Sequence, residues 1–321
     1  MAISTTHTIG ILADNLESRK SVLPIPKDAV THWADGLNLP RGGETVLYTG
    51  QMYQLIPYIE ALVTQERKLG DSWLASFSGV GRFVNRFINI AALMGRPSPE
   101  ERQRYERIPR NVARLLQKVG LEFGILYEED WYSGALMYDL GEDEVVSAHA
   151  AKVYRIFQKY GVKRVITIDP HTTNMLRSVY PKWIPDYQLR VQSYLELLAE
   201  YGFTPDHPVG GEVTVHDSCV YARYEHIIDE PRFLLNGVGL AVKEPVHSKS
   251  RTWCCGGPAE SLFPAKAEAA AKQRVNELAQ LSSQGVTMCP ICWVNLEKAT
   301  DGRIHFQDIS EWLCAGLAPT E

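Results

Sequence analysis

The amino-acid sequence predicts an α/β protein with two pseudo-symmetric halves, each a small parallel sheet flanked by helices. Three observations support this fold class. Short apolar segments typical of buried strands alternate with segments of helical periodicity. Glycine-bearing turns follow several of these strands, where open α/β sheets place their sites. The order of strand, turn and helix in the first half returns in the second half.

In the first half, residues 1–44 are interpreted as irregular apart from a short helix over 28–37, because prolines and a Gly-Gly pair interrupt this segment. Gly50 allows a tight turn from the first strand into a helix. Ser98 and Pro99, followed by acidic residues, are a typical helix start. Strands are predicted over 45–49, 123–127 and 162–168, and helices over 51–70, 71–93, 98–120 and 142–161, with another beginning near Asp169.

The second half repeats this order with strands and helices of similar length. The segment 264–285 is rich in Ala, Glu, Lys and Leu and is predicted to be a long helix. Strands are predicted over 211–216, within 234–247, before Cys289 and from Arg303, and further helices over 293–299 and from Asp308.

Five of the six cysteines lie in three short clusters in the last third of the chain, and none precedes Cys219. The clusters are HDSCVYARYEH with Cys219, TWCCGGP with Cys254 and Cys255, and MCPICWVNL with Cys289 and Cys292. The two thiolates of a Cys-x-x-Cys motif can both reach one metal centre. The side chains of two adjacent cysteines diverge, so such a pair suits a group with several metal atoms. Five thiolates exceed the four ligands of tetrahedral zinc. Because soft sulfur selects iron–sulfur clusters, zinc or copper(I), a polynuclear iron–sulfur cluster fits best.

The order Cys219, Cys254-Cys255-Gly256, Cys289-Pro290-Ile291-Cys292 resembles the cysteine-rich CCG domain family. That domain occurs in the B-type and D-type subunits of heterodisulfide reductase, in iron–sulfur subunits of glycolate and lactate oxidation systems, and in the E-type subunit of an archaeal-type succinate dehydrogenase. The resemblance implies that these five cysteines bind the cofactor and are its metal ligands. It also implies a [4Fe-4S] cluster of the non-cubane form, with no catalytic residue beyond the cluster itself.

Overlaying the halves suggests that the first is the same domain without its ligands. Gln51 occupies the position equivalent to Cys219. Tyr132 and Ser133 occupy the positions of the Cys-Cys pair. Asp169 and Thr172 occupy those of Cys289 and Cys292. We therefore expect a degenerate CCG domain with an N-terminal arm over residues 1–205, and a CCG domain carrying the cluster over 206–321.

The resemblance implies a B-type iron–sulfur protein of a heterodisulfide-reductase-like complex, of the sulfur-oxidising kind, that passes electrons to or from a disulfide or thiol substrate. Its implied partners are a ferredoxin-like, C-type electron-transfer protein and the other members of a hetero-oligomeric complex. One alternative is an electron-relay protein of a glycolate, lactate or succinate oxidising complex. Another is a redox-silent zinc-binding module that uses four of the five cysteines.

Several neighbouring residues have simpler interpretations. Cys314 is expected to be a small buried apolar residue. His171 and His216 are first interpreted as hydrogen-bonded structural side chains, with a proton role as the alternative. Trp253 and Trp293 are expected to pack over the cluster and exclude water, with ordinary core packing as the alternative.

Composition and motifs exclude other functional classes. A net charge of −5 gives no reason to expect nucleic acid as a partner. No window approaches about 18 consecutive apolar residues, so no direct membrane span is expected. The first residues lack signal-peptide features, and the few clustered cysteines suit a reducing compartment, so a cytoplasmic location is expected. The sequence contains no glycine-rich phosphate-binding motif, so no nucleotide site is predicted. It also contains no ferredoxin-type run of cysteines.

Overall fold

Two four-stranded parallel sheets flanked by helices form the protein, and the predicted α/β class is confirmed. A computed structural model describes residues 5–23, 25–69, 96–260 and 263–319. The helix predicted over residues 71–93 lies outside these described residues. Within them, no helix is both long and apolar enough to cross a membrane.

The strands are short, and most helices are short as well. The strands are β1 Thr45–Tyr48, β2 Gly124–Ile125, β3 Arg164–Thr167, β4 Arg190–Ser193, β5 Glu212–Val215, β6 Ala241–Lys243, β7 Gln284–Thr287 and β8 His305–Asp308. The α-helices of the described residues are α1 Thr5–Arg19, α2 Lys27–Thr31, α3 Met52–Leu69, α4 Pro99–Lys118, α5 Ala135–Asp139, α6 Asp143–Lys159, α7 Pro170–Asn174, α8 Tyr194–Glu200, α9 Asp229–Gly237, α10 Pro264–Leu278, α11 Pro290–Lys298 and α12 Ile309–Ala315.

The two sheets have the same strand order, as expected if the second half repeats the first. The orders are β2-β1-β3-β4 and β6-β5-β7-β8. In the second sheet, β5 pairs in parallel with β6 and β7, and β7 pairs in parallel with β8. The last three residues of β5 and of β7 are buried, as expected for strands covered on both faces. Since parallel strands end at the same edge, the loops after β6, β5 and β7 emerge side by side.

The glycine turns of the two halves have the same backbone conformation. Gly134 has φ 88° and ψ 1°, and Gly256 has φ 82° and ψ −6°. Both values lie in the left-handed region, which side chains rarely adopt. At Gly256, a Cβ atom would also lie 2.5 Å from the carbonyl oxygen of Ala267. The turn after the Cys-Cys pair and the turn of its cysteine-free counterpart therefore both require glycine.

The interpretation of residues 1–44 as irregular is wrong for their first part, because Thr5–Arg19 form helix α1. Several β-branched residues and Gly10 give this segment low intrinsic helix propensity. Tertiary burial compensates, since Leu16 is fully buried and the Asn15 side chain donates to the Val22 carbonyl at 3.0 Å. The short helix predicted within 28–37 corresponds to α2 and the 3₁₀ turn His32–Ala34.

Strand β4 and helix α8 were missed by sequence analysis, although a local signal marks them. Ser193 and Glu196 form a capping box at the start of α8, and the Ser193 amide donates to the Glu196 carboxylate at 2.7 Å. The equivalent helix of the second half, α12, also starts with a capping box, formed by Asp308 and Glu311.

By their contacts, the residues group into two compact units. The first comprises Met1–Pro109, Phe123–Val165 and Met175–Arg190, and the second comprises Arg110–Glu122, Ile166–Asn174 and Val191–Glu321. The second unit thus contains all five predicted ligands and also pieces of the first half, among them Arg110–Glu122 and Ile166–Asn174. The predicted domain boundary between residues 205 and 206 stays a prediction.

Candidate metal centre

The three cysteine clusters lie in loops that follow three neighbouring strands. Cys219 follows β5, the Cys254-Cys255 pair follows β6, and Cys289 and Cys292 lie at the start of α11, directly after β7. Pro290 occupies the first turn of α11, where its missing N–H is not needed. The parallel sheet therefore delivers every predicted ligand to one edge.

At this edge the five sulfurs form one continuous chain of contacts, which we call the thiol chain. It runs in the order Cys219, Cys254, Cys255, Cys292 and Cys289, each thiol hydrogen-bonding to the next. The Sγ atoms of Cys255 and Cys292 lie 3.2 Å apart. The last three members of the chain are buried, whereas Cys219 and Cys254 are half-buried. The structure thus brings all five predicted ligands together, with the first two nearest to solvent.

Proton sharing gives these thiols opposite pKa shifts. The Cys219 and Cys255 thiols hydrogen-bond to Cys254 and lower its pKa to about 2, while the same contact raises the pKa of Cys219. Burial alone would raise the pKa of Cys289, but hydrogen bonds from Cys292 and His171 outweigh it and lower that pKa well below its usual value. Thiolates at 254 and 289 are therefore favoured, and the thiolate is the form that binds metal.

Residues of the first half lie beside Cys289 within the second unit. His171 hydrogen-bonds to the Cys289 sulfur. Asp169 is fully buried, and burial, with a smaller contribution from Cys289, raises its pKa to about 6. Its Oδ1 accepts from the Thr172 amide at 2.9 Å. From the sequence, this segment was assigned to the cysteine-free half, and no hydrogen bond from it to a particular cysteine was predicted.

A buried ionic network, which no sequence motif indicated, ties two of the cysteine loops together. Asp217 accepts from Arg232 through both carboxylate oxygens, at 2.7 and 2.9 Å. The same carboxylate accepts from the Lys249 amide, and the Asp217 carbonyl accepts from the Thr252 hydroxyl. Glu244 completes the pairing of Arg232. The network fixes the loop before Cys219 against the loop before Cys254.

His216 lies next to the thiol chain, but one nitrogen of its ring already accepts a hydrogen bond. A nitrogen of its ring and the sulfurs of Cys255 and Cys292 lie within 4.8 Å of one another. Its Nδ1 accepts from Arg274 at 3.0 Å. Burial, reinforced by the Arg274 charge, lowers the pKa of His216 to about 3. The neutral form is therefore favoured near neutral pH, which argues against the proton role considered above.

The two tryptophans beside the ligands have ordinary structural contacts. The Trp293 indole is buried and donates to the Phe306 carbonyl at 3.0 Å. Trp253 stacks on His247 with ring centroids 3.7 Å apart. Cys314 lies outside the thiol chain, with its sulfur 3.6 Å from the Asn111 carbonyl, and burial raises its pKa to about 12.

Two of the positions of the first half that stand for cysteines, Gln51 and Tyr132, make other side-chain hydrogen bonds. In the first unit, Gln51 donates to the Asp130 carbonyl at 2.7 Å, and the Tyr132 hydroxyl accepts from the Leu136 amide at 2.8 Å. The Tyr132 carbonyl is bonded to His149 at 2.7 Å. These are hard oxygen and nitrogen donors with local structural partners, and such donors do not suit an iron–sulfur cluster.

The profile of the "Cysteine-rich domain" family, CCG, matches the chain twice, over residues 98–177 and 213–297, which together make up about half of its length. The chain belongs to this family. The second match contains the whole thiol chain, and the first contains Gly134 and Asp169 but no cysteine. This CCG protein thus combines one repeat that contains all five predicted ligands with one repeat that has the same glycine-turn conformation and no cysteine.

Curated relatives of this CCG protein have redox names. It is 31% identical over 204 residues to "EtfAB:quinone oxidoreductase" of Syntrophomonas wolfei (59% of this chain, 28% of that protein). It is 33% identical over 158 residues to "Probable iron-sulfur-binding oxidoreductase FadF" of Bacillus subtilis (48% and 22%). It is 26% identical over 220 residues to the D-type subunit of "Dihydromethanophenazine:CoB--CoM heterodisulfide reductase" of Methanosarcina barkeri (64% and 54%). The matched segments thus span about a fifth to a half of these relatives.

The donor set of the CCG protein fits a polynuclear iron–sulfur group. Five soft sulfurs in one chain of contacts exceed what one tetrahedral ion accepts, and hard cations prefer oxygen donors. The arrangement also disfavours a zinc site built from His216, Cys255 and Cys292, because Arg274 occupies the Nδ1 lone pair of His216 and the proton of the neutral ring is then on Nε2. The residues present therefore favour a cluster over a single ion.

Proposed function

We propose that the chain is the iron–sulfur subunit of an oxidoreductase complex, and that Cys219, Cys254, Cys255, Cys289 and Cys292 hold one [4Fe-4S] cluster. The single observation that carries this proposal is the thiol chain, in which five sulfurs from three loops meet at one sheet edge. When bound, such a cluster supplies one-electron transfer at a potential that the surrounding residues adjust. The relatives' names support the same class of chemistry.

The protein residues around the thiol chain then have defined tasks. Burial of Cys255, Cys289 and Cys292 excludes water from one side of the sulfur set. The Asp217–Arg232 pair holds two of the ligand loops in place. Cys219 and Cys254 are half-buried, so this side is where an electron partner or a substrate would approach.

For the reaction, we propose electron exchange with a sulfur substrate, as in a heterodisulfide-reductase-like complex of the sulfur-oxidising kind. Reduction of a disulfide R–S–S–R′ consumes two electrons and two protons and yields R–SH and R′–SH; oxidation is the reverse. A ferredoxin-like, C-type partner would exchange the electrons one at a time with the cluster, proposed to be of the non-cubane form. The half-buried sulfurs and the heterodisulfide reductase relatives, which match up to 64% of the chain, support this substrate class.

A second candidate is electron relay without contact to substrate. The relatives named as a quinone oxidoreductase and as FadF, at 31% and 33% identity, favour it. In this case the half-buried side of the thiol chain would face only protein partners. The sulfur-substrate proposal and the relay proposal need the same cluster and differ in what reaches it.

The shared proposal is tested by metal and sulfide analysis of anaerobically purified protein, together with its visible absorption spectrum. About four irons and about four sulfides per chain are expected, with broad absorption that bleaches on reduction. One zinc per chain with no visible absorption would instead support the redox-silent zinc module.

The two candidates are then separated with a small-molecule disulfide. The dithionite-reduced protein, freed of excess reductant, is mixed with bis(2-hydroxyethyl) disulfide. A sulfur-active site predicts cluster reoxidation with two free thiols formed for every two electrons lost. A relay protein predicts that the cluster stays reduced and that no thiol appears, although it reoxidises with an artificial one-electron acceptor such as ferricenium.

The first half is proposed to hold no cluster, and this has its own test. Replacing Asp169 and His171 together by Ala is expected to leave iron content unchanged, because neither residue is a proposed ligand. A matched variant, Gln51→Ala, should behave in the same way. Loss of about half or more of the iron from both variants would place part of the ligand set in the first half, whereas loss from the double variant alone would be explained by the contact of His171 with Cys289.

A further inference from the structure

The ring of His216 contains a buried nitrogen that has no hydrogen-bond partner within the described part of the chain. The residue is only 1% exposed, and the unsatisfied atom is Nε2. Leaving a buried polar atom unsatisfied is destabilising, because the atom loses its hydrogen bond to water and gains none in the folded protein. Such an atom in a well-packed site indicates that a partner is expected there.

The protonation of this ring is decided by Arg274. The Arg274 Nε atom lies 3.0 Å from Nδ1 of His216. A guanidinium has donors only, so Nδ1 must offer its lone pair. In a neutral imidazole the proton is then on Nε2. The unsatisfied atom is therefore an N–H donor, not an acceptor.

Arg274 itself is held firmly enough to impose this choice. Its side chain is fully buried. It donates to the Glu277 carboxylate at 2.7 Å and to the His247 carbonyl at 2.8 Å. Glu277 is fixed in turn by the His247 amide and ring, at 2.8 and 2.9 Å. These contacts fix both the position and the tautomer of His216.

The donor lies beside the proposed cluster. The ring of His216 lies within 4.8 Å of the sulfurs of Cys255 and Cys292, two adjacent members of the buried part of the thiol chain. Direct ligation through Nε2 would move the proton to Nδ1, where it would face the N–H of Arg274 at 3.0 Å. Two donors cannot share that contact, so ligation is disfavoured, whereas an N–H···S hydrogen bond leaves the tautomer of the ring unchanged.

We propose that His216 acts as a fixed N–H donor to a sulfur of the proposed cluster, with its tautomer set by Arg274, and that this hydrogen bond raises the cluster's reduction potential. The inference rests on the proposed cluster. A hydrogen bond to sulfur stabilises the more negative, reduced state, and such bonds are among the determinants of iron–sulfur potentials. His216 thereby gains the partner that its buried N–H requires.

The test compares wild-type protein with three variants, all reduced and frozen for electron–nuclear double resonance. His216→Phe removes the donor and keeps a ring, whereas His216→Gln keeps an N–H. His305→Phe changes an exposed histidine of the same unit and serves as the control. Wild type is expected to show a proton coupling that disappears in D₂O and no coupling of a directly bound nitrogen. His216→Phe should lose that proton coupling, while the His216→Gln and control proteins should keep one.

A redox titration of the same proteins gives the second measurement. The equilibrium constant for one-electron reduction is expected to fall about tenfold in His216→Phe, which corresponds to a potential about 59 mV lower. His216→Gln should recover most of this loss, and His305→Phe should match wild type. The iron content of each protein is measured in parallel.

Three results would overturn the inference while leaving the cluster in place. These are a nitrogen bound directly to iron in wild type, the absence of any exchangeable proton coupling, or an unchanged potential in iron-loaded His216→Phe. If His216→Phe fails to fold, the wild-type spectrum and the His216→Gln titration still decide. A wild-type protein without iron would refute the proposed function itself, which is a different outcome from all of these.

Discussion

Cys255→Ala is expected to reduce bound iron from about four per chain to almost none. Cys255 is the centre of the thiol chain, with Cys254 on one side and Cys292 at 3.2 Å on the other. It is 1% exposed, so solvent thiols cannot readily replace its sulfur. Removal of this side chain therefore interrupts the ligand set at its middle. Iron, sulfide and visible absorption of anaerobically purified protein provide the measurement.

The matched control for this change is Cys314→Ala in the same unit. Cys314 is also a free cysteine, but its sulfur contacts the Asn111 carbonyl and no other thiol of the described residues. Its replacement should leave iron content and spectrum unchanged. Far-ultraviolet circular dichroism of both variants tests whether the helices and strands persist. Equal iron contents in the Cys255 and Cys314 variants would contradict the assignment of the ligands.

The meeting of the five cysteines could be predicted because two simple rules coincide. Alternating strands and helices imply a parallel sheet, and the loops after parallel strands share one edge. Cys219 follows β5, the Cys-Cys pair follows β6, and Cys289 follows β7, so adjacency follows from strand order alone. A glycine turn at Gly256 could be predicted as well, because the turn needs a backbone conformation that other residues rarely adopt.

What the sequence did not reveal depends on long-range contacts. Arg274 lies 58 residues from His216 in the chain, and Asp217 lies 15 residues from Arg232. Charged residues on an amphipathic helix usually face solvent, so neither arginine was distinguishable from an exposed one. The contact of His171 with Cys289 was hidden for a related reason. A tandem repeat suggests two halves that fold separately, yet Ile166–Asn174 belongs to the unit that contains the cysteines.

Loss of the Asp217 charge is expected to give the largest fall in stability among the charge changes considered. Asp217 is 2% exposed and pairs with Arg232 through both oxygens. Although burial disfavours a charged guanidinium, hydrogen bonds with Asp217 and Glu244 keep the pKa of Arg232 above its usual value. Asp217→Asn keeps the shape but leaves that cation with one carboxylate instead of two. Breaking a buried pair costs about 3–5 kcal/mol, and the partly exposed Glu244 should keep the loss near the lower end, about 3 kcal/mol.

Denaturant unfolding of metal-free protein measures this loss, and a double variant shows whether it comes from the pair. Removing both charges, with Asp217→Asn and Arg232→Met, leaves no unpaired buried cation, so it should destabilise by less than the sum of the single changes. The control is Glu212→Gln, which breaks an exposed ion pair with Lys243 in the same sheet and should have little effect. Because the Asp217 carboxylate also accepts from the Lys249 amide, loss of its charge loosens the loop before Cys254 and should lower iron retention during chelator challenge. Wild-type stability in Asp217→Asn would mean that the cysteine loops of the metal-free protein are held together by the thiol chain, and not by this ion pair.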